Sequence, residues 1–261
     1  MGTSTIPPAS EFERQTAKTS VTTFRLIEAM KGCDGAGVSA LAEDLDLAKG
    51  TVHKHLTTLQ KLNYVVKEDE RYRLSLRFIG LGTSVRSNLD VYQIAYGPLE
   101  TLADATGEVA SLMVPEHGYG VYALRVSTEG RPDDRIQEGE SVPLTATAGG
   151  KAMLSSMPAE ERRRIVDQHG LPEMTDNTIT DREELEEELR RIRDHQRAYD
   201  NREYHPDQRC VASPILDSEG SVIGAVTVSG PADRMTEKSK DADFTSLVGS
   251  TTDSIRSRMF R

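Results

Sequence analysis

Hydrophobic residues recur at helical spacing twice in succession between residues 38 and 62. Each set places apolar side chains three or four positions apart, and the two sets are Val38, Leu41, Ala42 and Leu45, then Val52, Leu56, Leu59 and Leu62. Only residues 46–48 separate the two predicted helices, and Ser39 is placed to cap the first. Two helices joined by so short a turn are typical of a helix-turn-helix.

The polar residues of the second helix lie off its apolar face. Lysines there can neutralise phosphates, while threonine and histidine can hydrogen-bond to base edges and the threonine methyl can meet a thymine. We therefore predict DNA contacts from Lys49, Gly50, Thr51, His53, Lys54 and Thr57. The alternative is a plain helical pair with a solvated lysine face.

Two short apolar runs follow, at residues 64–66 and 72–74, on either side of a polar turn at residues 68–70. This pattern predicts a β-hairpin. Arg71 and Arg73 would lie at its tip and flank, where they could reach the DNA backbone or the minor groove. The helical pair and the hairpin together predict a winged helix-turn-helix.

Charge is distributed unevenly. The chain carries a net charge of −10, yet residues 1–80 sum to +1, and residues 49–77 hold seven basic and three acidic side chains. Screening limits repulsion from the acidic remainder to ~8–10 Å at ordinary ionic strength. Local charge therefore favours DNA binding although the chain as a whole is acidic.

The other elements complete a two-domain prediction. A further helix is predicted to complete the core of the N-terminal winged helix-turn-helix, here called the head. Its apolar positions are Val21, Phe24, Ile27 and Met30. We expect a disordered lead-in at residues 1–18, a winged helix-turn-helix at 19–75, a linker helix at 76–89 and an effector domain at 90–261. A helix at residues 90–105 should be kinked or interrupted at Pro98. The linker and this helix are the expected dimer contacts.

Strands dominate the pattern beyond Gly107. We predict paired strands at residues 109–114 and 121–126, and a second pair at 210–216 and 222–229. Helices are predicted within residues 144–153, at 158–168, after a capping box at 180–183, and at the C-terminus from Phe244. The expected fold class is α+β, an antiparallel sheet flanked by helices.

Composition narrows the class of protein. No run of eighteen apolar residues occurs among the 261 residues, so no membrane span is predicted. Cys33 and Cys210 lie far apart and form no metal-binding or redox motif. We expect a cytoplasmic protein without a metal or other cofactor.

Three blocks of this sequence resemble an IclR-family transcription regulator in order and spacing. They are GTVHKHLTTLQKLNYV with RYRLSLRFIGLG, then VPLTATAGGKAML, then CVASPILDSEGSVIGAVTVSGP preceded by Asp200 and Glu203. The resemblance implies a winged-helix head and a GAF-like effector-binding domain. It also implies a homodimer, or a dimer of dimers, that binds a palindromic operator on double-stranded DNA and responds to a small polar metabolite.

The resemblance further implies an effector pocket, whose residues here would be Ala148 and Gly149 through their backbone, with Asp200, Cys210, Thr227 and Ser229. Thr227 and Ser229 are two apart on a predicted strand, so their hydroxyls share one side. Family members commonly have glycine where this chain has Gln196 and Asp207. The ordinary alternative is that Thr227 and Ser229 are plain strand residues and Cys210 a small buried hydrophobe.

Two other classes of function compete with regulation. In an enzyme, Gly149, Gly150 and Lys151 could belong to a phosphate-binding loop. The motif fails at two required positions, because Thr145 stands where it needs glycine and Ala152 stands where it needs serine or threonine. The sequence shows no nucleophile elbow and no paired histidine ligands, so we expect no catalytic residues and no metal site. The remaining class is a ligand sensor or dimeric adaptor whose head no longer binds DNA.

Overall fold

The computed structural model describes residues 16–127, 136–238 and 243–260. Contacts divide the chain after Val85 into two compact units, and each is described by itself. Most of the predicted lead-in, residues 1–15, lies outside the described residues. No described helix is long and apolar enough to cross a membrane.

The N-terminal unit contains three helices followed by a hairpin: α1 (Lys18–Ala29), α2 (Val38–Asp44), α3 (Lys49–Lys61), β1 (Val65–Glu68) and β2 (Arg71–Leu74). Its core joins all of them through Leu26, Leu41, Val52, Leu56 and Tyr72. The helical spacing therefore predicted most of the buried face. The prediction was wrong for Phe24 and Leu62, which were assigned to the buried face but are 56% and 53% exposed.

The turn between α2 and α3 is held by the backbone. Asp46 adopts a positive φ of 52° and the Leu47 N–H donates to Ala42 O at 2.9 Å. The predicted Ser39 cap is wrong, since Gly37 precedes α2 and no side chain caps that end. Ala48 precedes α3, and it also provides no side-chain cap. The first backbone N–H groups of α3 therefore receive no hydrogen bond from a capping side chain.

The linker region contains the predicted helix, α4 (Arg77–Ser87), and no residue of this helix is buried. The following helix differs from its prediction. Helix α5 (Asp90–Thr106) continues through Pro98 and ends at Gly107, whose φ of 61° suits a helix terminator. The expected interruption at Pro98 is therefore absent. Val91, Leu99 and Leu102 are buried on its inner face.

The C-terminal unit is built on one antiparallel sheet. Its strands are β3 (Val109–Glu116), β4 (Tyr119–Val126), β5 (Ser141–Pro143), β6 (Ala198–Asn201), β7 (Gln208–Leu216) and β8 (Val222–Pro231). They pair in the order β5-β4-β3-β8-β7-β6. Both predicted strand pairs are confirmed, and the α+β class with them. The short strands β5 and β6 were not predicted.

Helices cover both faces of this sheet. They are α6 (Ala148–Ser156), α7 (Ala159–His169), α8 (Arg182–His195), α9 (Ala232–Lys238) and α10 (Phe244–Met259). One face packs Leu112, Val226 and Val228 in a core with α5 and α10. The other packs Met113 and Ala212 against residues of α6 and α8. The two faces thus have separate apolar cores.

Helix α8 begins one residue later than the predicted capping box. Its cap is Asp181, which accepts hydrogen bonds from the N–H groups of Glu183 and Glu184, and Thr180 does not cap it. The helix ends at Gln196 in the left-handed conformation, with φ 55°. Glycine adopts this conformation without strain from a Cβ atom, which accounts for the glycine common there in the resembling family.

We expect Gln196→Gly to raise the free energy of unfolding by about 0.5 kcal/mol, because relief of left-handed strain exceeds the added backbone entropy. The matched control is Gln168→Gly in α7, which should lower stability by about 0.5–1 kcal/mol. Urea unfolding of both variants measures the difference. Equal destabilisation by the two substitutions would contradict this account of the helix end.

Candidate functional site

The outer face of α3 is polar and open to solvent. Lys49, Gly50, Thr51, His53 and Lys54 are exposed, and Thr57 is half-buried. Val52, Leu56 and Leu59 are buried on the opposite side. The core thus fixes the helix while five of the six predicted DNA contacts face outward and the sixth is partly accessible.

His55 belongs to the inner packing of the head. Its Nδ1 lies 2.8 Å from Thr23 Oγ1 on α1. Burial, followed by the nearby Lys54 charge, lowers the pKa of this imidazole. His55 therefore links α3 to α1.

The two predicted wing arginines make contacts within the head. Arg71 Nη2 donates to Gly35 O at 2.6 Å. Arg73 donates through Nη2 and Nε to Glu68 Oε1 at 2.6 and 3.2 Å. Arg71 ties the hairpin to the α1–α2 loop, while the Arg73–Glu68 pair is exposed and contributes little to stability. Sequence reasoning missed both partners.

The predicted effector residues come together on the face of the sheet that α6 covers. Asp200 on β6 pairs with Cys210 on β7, which pairs with Ser229 on β8. Directly opposed residues of antiparallel strands project to the same face. Thr227 lies two residues before Ser229 and is paired with Ala212. These four side chains therefore line neighbouring rows of one surface.

Helix α6 approaches this surface very closely at its N-terminus. A Cβ atom on Gly149 would lie 2.9 Å from both Met113 Sδ and Thr227 Cγ2. Thr147 caps the helix by accepting from the Gly150 N–H at 3.2 Å. Ala148 and Gly149 are both buried. Glycine at position 149 permits the contact that places the helix start beside Thr227.

A buried ion pair that was not predicted joins α6 to the segment after β6. Lys151 is 1% exposed, and its Nζ lies 2.6 Å from each carboxylate oxygen of Glu203. Glu188 lies further away, at 3.9 Å. The signal in the sequence was a lysine within the apolar run AGGKAML, which requires an acid once the run is buried.

Asp200 organises the same segment. Its Oδ1 accepts the N–H groups of Glu203 and Tyr204 at 2.6 and 3.3 Å. Burial raises the pKa of its carboxyl from 3.8 to about 7, and the Glu203 N–H opposes that rise. Asp200 therefore changes charge near neutral pH. The protonated carboxyl can donate a hydrogen bond to a polar ligand, and the ionised carboxylate can accept one.

Cys210 is a buried thiol. Burial raises its pKa, as does the charge of Asp200, whereas the Thr227 hydroxyl and the Arg125 and Lys151 cations lower it. The thiol therefore stays protonated at neutral pH and is a weak nucleophile. Its position supports a contact or packing role.

A cavity of about 350 Å³ lies at the β6 edge, but its walls belong mainly to the other face of the sheet. Of the predicted residues only Asp200 and Cys210 border it, and the remaining lining residues are Tyr199, Asn201, Arg209, Val211, Met235 and Phe244. Among the described residues, no group of three or more His, Cys, Asp or Glu side chains could hold a metal ion.

A family model described as the C-terminal domain of the bacterial transcriptional regulator IclR matches residues 83–257, and one for the IclR helix-turn-helix domain matches residues 22–69. The chain belongs to the IclR family. It is a DNA-binding transcription regulator with a C-terminal domain that binds a small-molecule effector. The resemblance drawn from the sequence is confirmed.

Individual relatives agree with this assignment. The chain is 29% identical over 219 residues to the uncharacterised HTH-type transcriptional regulator RhmR of Escherichia coli strain K12, covering 84% of this chain and 83% of that protein. The Thermotoga maritima IclR structure has a TM-score of 0.77 at 27% identity and covers 93% and 99% of the two chains. An IclR homologue of Microbacterium hydrocarbonoxydans, solved with 4-hydroxybenzoate, has a TM-score of 0.77 at 20% identity over 92% and 98% and supports the fold alone.

We expect the contribution of Asp200 to the stability of the protein to fall as pH rises from about 4 to about 7. A carboxyl whose pKa is raised in the folded state binds more protons there than in the unfolded chain, so its ionisation favours unfolding. A change from 3.8 to about 7 corresponds to ~4 kcal/mol at most. Asp200→Asn keeps an oxygen acceptor and removes this dependence.

Urea unfolding at several pH values measures the effect as the difference between wild type and Asp200→Asn. The exposed Asp176→Asn serves as the matched control. Parallel pH profiles for wild type and Asp200→Asn would contradict the buried, titrating carboxyl.

Proposed function

We propose that the protein reads a palindromic operator as a homodimer, or as a dimer of dimers. A small polar metabolite on the α6 face of the sheet then changes its operator affinity. The observation that carries the DNA-binding part is the solvent-exposed polar face of α3 on a fully packed core. Two such helices related by a two-fold axis would reach equivalent half-sites about one helical turn apart.

The proposed DNA contacts divide by chemistry. Lys49 and Lys54 suit phosphates, and Thr51, His53 and Thr57 suit base edges, while Gly50 lets the backbone approach closely. Arg73 can exchange its exposed Glu68 partner for a phosphate. Arg71 has the supporting task of holding the hairpin against the α1–α2 loop.

Exposed apolar side chains on the linker helix support the dimer. Leu76, Ile79, Leu81 and Val85 are between 50% and 77% exposed, and no residue of α4 is buried. A helix without a buried side lacks the packing that normally stabilises helices in water. A second copy of the chain would supply that packing.

The proposed effector contacts are Ala148, Gly149, Asp200, Cys210, Thr227 and Ser229. Their support is that the four side chains share one face of the sheet, beside the start of α6. We propose in addition the predicted domain division, with the effector domain beginning after the linker helix. A cytoplasmic location follows from a task performed on DNA.

The competing functions have less support. The buried, protonated Cys210 and the ion-paired Lys151 give no activated nucleophile, which favours a protein that is not an enzyme. An adaptor without DNA binding would not require an exposed polar face on α3. Failure to retard any fragment of the protein's own promoter region at low salt would favour the adaptor.

Lys54→Ala should weaken operator binding several-fold and reduce the slope of log affinity against log salt by about 1, because one phosphate contact is lost. Lys61→Ala, at the C-terminal end of the same helix, is the matched control and should leave the slope unchanged. Fluorescence anisotropy with a promoter fragment across a salt series gives both slopes. An unchanged slope for Lys54→Ala would exclude that contact.

The double variant Ile79→Glu, Val85→Glu should lower the oligomeric state, because burying two carboxylates at an apolar interface is costly. Sedimentation equilibrium gives the mass relative to the 28.8 kDa chain. Ser84→Glu, on a polar position of α4, controls for added charge. A monomeric wild type, or an unchanged mass for the double variant, would refute the linker-helix interface.

A further inference from the structure

The cavity of about 350 Å³ at the β6 edge opens on the face of the sheet opposite α6. Side chains alternate between the two faces along a strand, and directly opposed residues of antiparallel strands share a face. Tyr199 is paired with Val211, and Asn201 is paired with Arg209. These four side chains therefore lie on the face that packs against α10, and a cavity of this size is within the range of small-molecule sites.

The floor of the cavity is apolar. Val211 on β7, Met235 on α9 and Phe244 on α10 border it, and all three belong to the buried core on this face. Tyr199 on the edge strand borders it as well, and 47% of that residue is exposed. An aromatic side chain beside an apolar floor suits a hydrocarbon body, such as a ring or a short chain.

A guanidinium at this cavity is held by neutral partners. Arg209 Nε donates to Asn201 Oδ1 at 2.6 Å, and Nη1 donates to the Thr236 hydroxyl. Arg209 is half-buried and borders the cavity. Among the described residues, no carboxylate forms an ion pair with it. The two hydrogen bonds thus fix the guanidinium in position and leave its charge without a counter-charge.

Nearby arginines differ from Arg209 in this respect. Arg202, between β6 and β7, pairs with Asp233 at 3.0 Å. Arg234 on α9 pairs with the buried Glu108 at 2.6 Å. The chain holds 42 acidic and 32 basic residues, so acids are in excess for such pairs. An arginine held by neutral partners beside an apolar cavity therefore indicates an anion from outside the chain, because the guanidinium fork matches a carboxylate.

The acids next to the cavity do not neutralise Arg209. Asp200 borders the cavity, but strand alternation directs its side chain to the α6 face, where it accepts the Glu203 N–H at 2.6 Å. Asp243 precedes Phe244, and its carboxylate accepts the backbone N–H groups at the start of α10. Both carboxylates are therefore engaged elsewhere.

We propose that this cavity binds a small carboxylic acid that has an apolar body. The cavity is here called the β6-edge site. Its side chains are Tyr199, Asn201, Arg209, Val211, Met235 and Phe244.

The two ends of the ligand have separate partners in the β6-edge site. A guanidinium presents five N–H donors, of which Asn201 and Thr236 take two, so Arg209 can also bind a carboxylate. The apolar body then lies against the floor of the cavity. The effector contacts proposed above project from the opposite face of the sheet, so neither proposal depends on the other.

Matched probes on the full-length protein test the β6-edge site. Benzoate, phenylacetate and hexanoate are each compared with their amides and with acetate, by thermal-shift titration and calorimetry at pH 7.5. We expect at least one of the three acids to raise the melting temperature saturably. Its amide lacks the charge and acetate lacks the apolar body, so each should bind at least ten-fold more weakly. Absence of a saturable effect from all three acids, or equal binding of acid and amide, would overturn the proposal.

Variants of Arg209 assign the effect to the guanidinium. Arg209→Gln should weaken binding of the acid at least ten-fold, and Arg209→Lys should lose less. Arg163→Gln, on the exposed side of α7, is the matched control and should bind as wild type does. Unchanged affinity in Arg209→Gln would overturn the proposal. So would a loss of affinity in Ser229→Ala alone, because the acid would then lie on the α6 face.

Asn201→Asp supplies a readout that a purely structural role would not produce. The substitution keeps the shape of the side chain but places a carboxylate against the Arg209 guanidinium. The unliganded variant should melt at the wild-type temperature or above it, because the hydrogen bond becomes charge-assisted. It should nevertheless bind the acid at least ten-fold more weakly and lose the preference for acid over amide. Wild-type affinity for the acid in Asn201→Asp would overturn the proposal.

Discussion

The buried pair between Lys151 and Glu203 is the constraint on which the effector domain depends. Two charges removed from water cost several kcal/mol each unless their geometry and additional hydrogen bonds compensate. Here both Glu203 oxygens contact Nζ, and the Glu203 N–H is held by Asp200. The pair fixes α6 against the segment after β6, and this places Gly149 beside the surface that carries Thr227 and Asp200. Removing either partner would leave a buried charge at the centre of the site.

The spacing of apolar residues was sufficient to predict the helical pair in the head of the protein. The apolar spacing of α2 and α3 gave the buried face because packing follows helical periodicity there. It failed at Phe24 and at Leu62, the residue that ends α3, because no element among the described residues covers their side chains. The partners of Arg71 and Arg73 escaped prediction for a different reason. Gly35 lies thirty-six residues away from Arg71, and only the folded loop brings them together.

The effector domain shows where sequence reasoning reaches its limit. The resemblance placed Asp200, Cys210 and Ser229, and the strand register brings them to one face. The pairing of Lys151 with Glu203 was missed because 52 residues separate them along the chain. Only the folded domain brings the two side chains together. Strand β6 was missed because four residues at a sheet edge carry little periodic signal.

The carboxylate of Glu138 links Arg86, the first residue of the C-terminal unit, to strand β4 of the same unit. It touches the β4 backbone at Arg125 with one oxygen and Arg86, at the end of α4, with the other. A shift of that strand by even an ångström must stretch one of these bonds or carry the arginine with it. The start of the C-terminal unit and the fourth strand would therefore move together, because one acidic side chain contacts both.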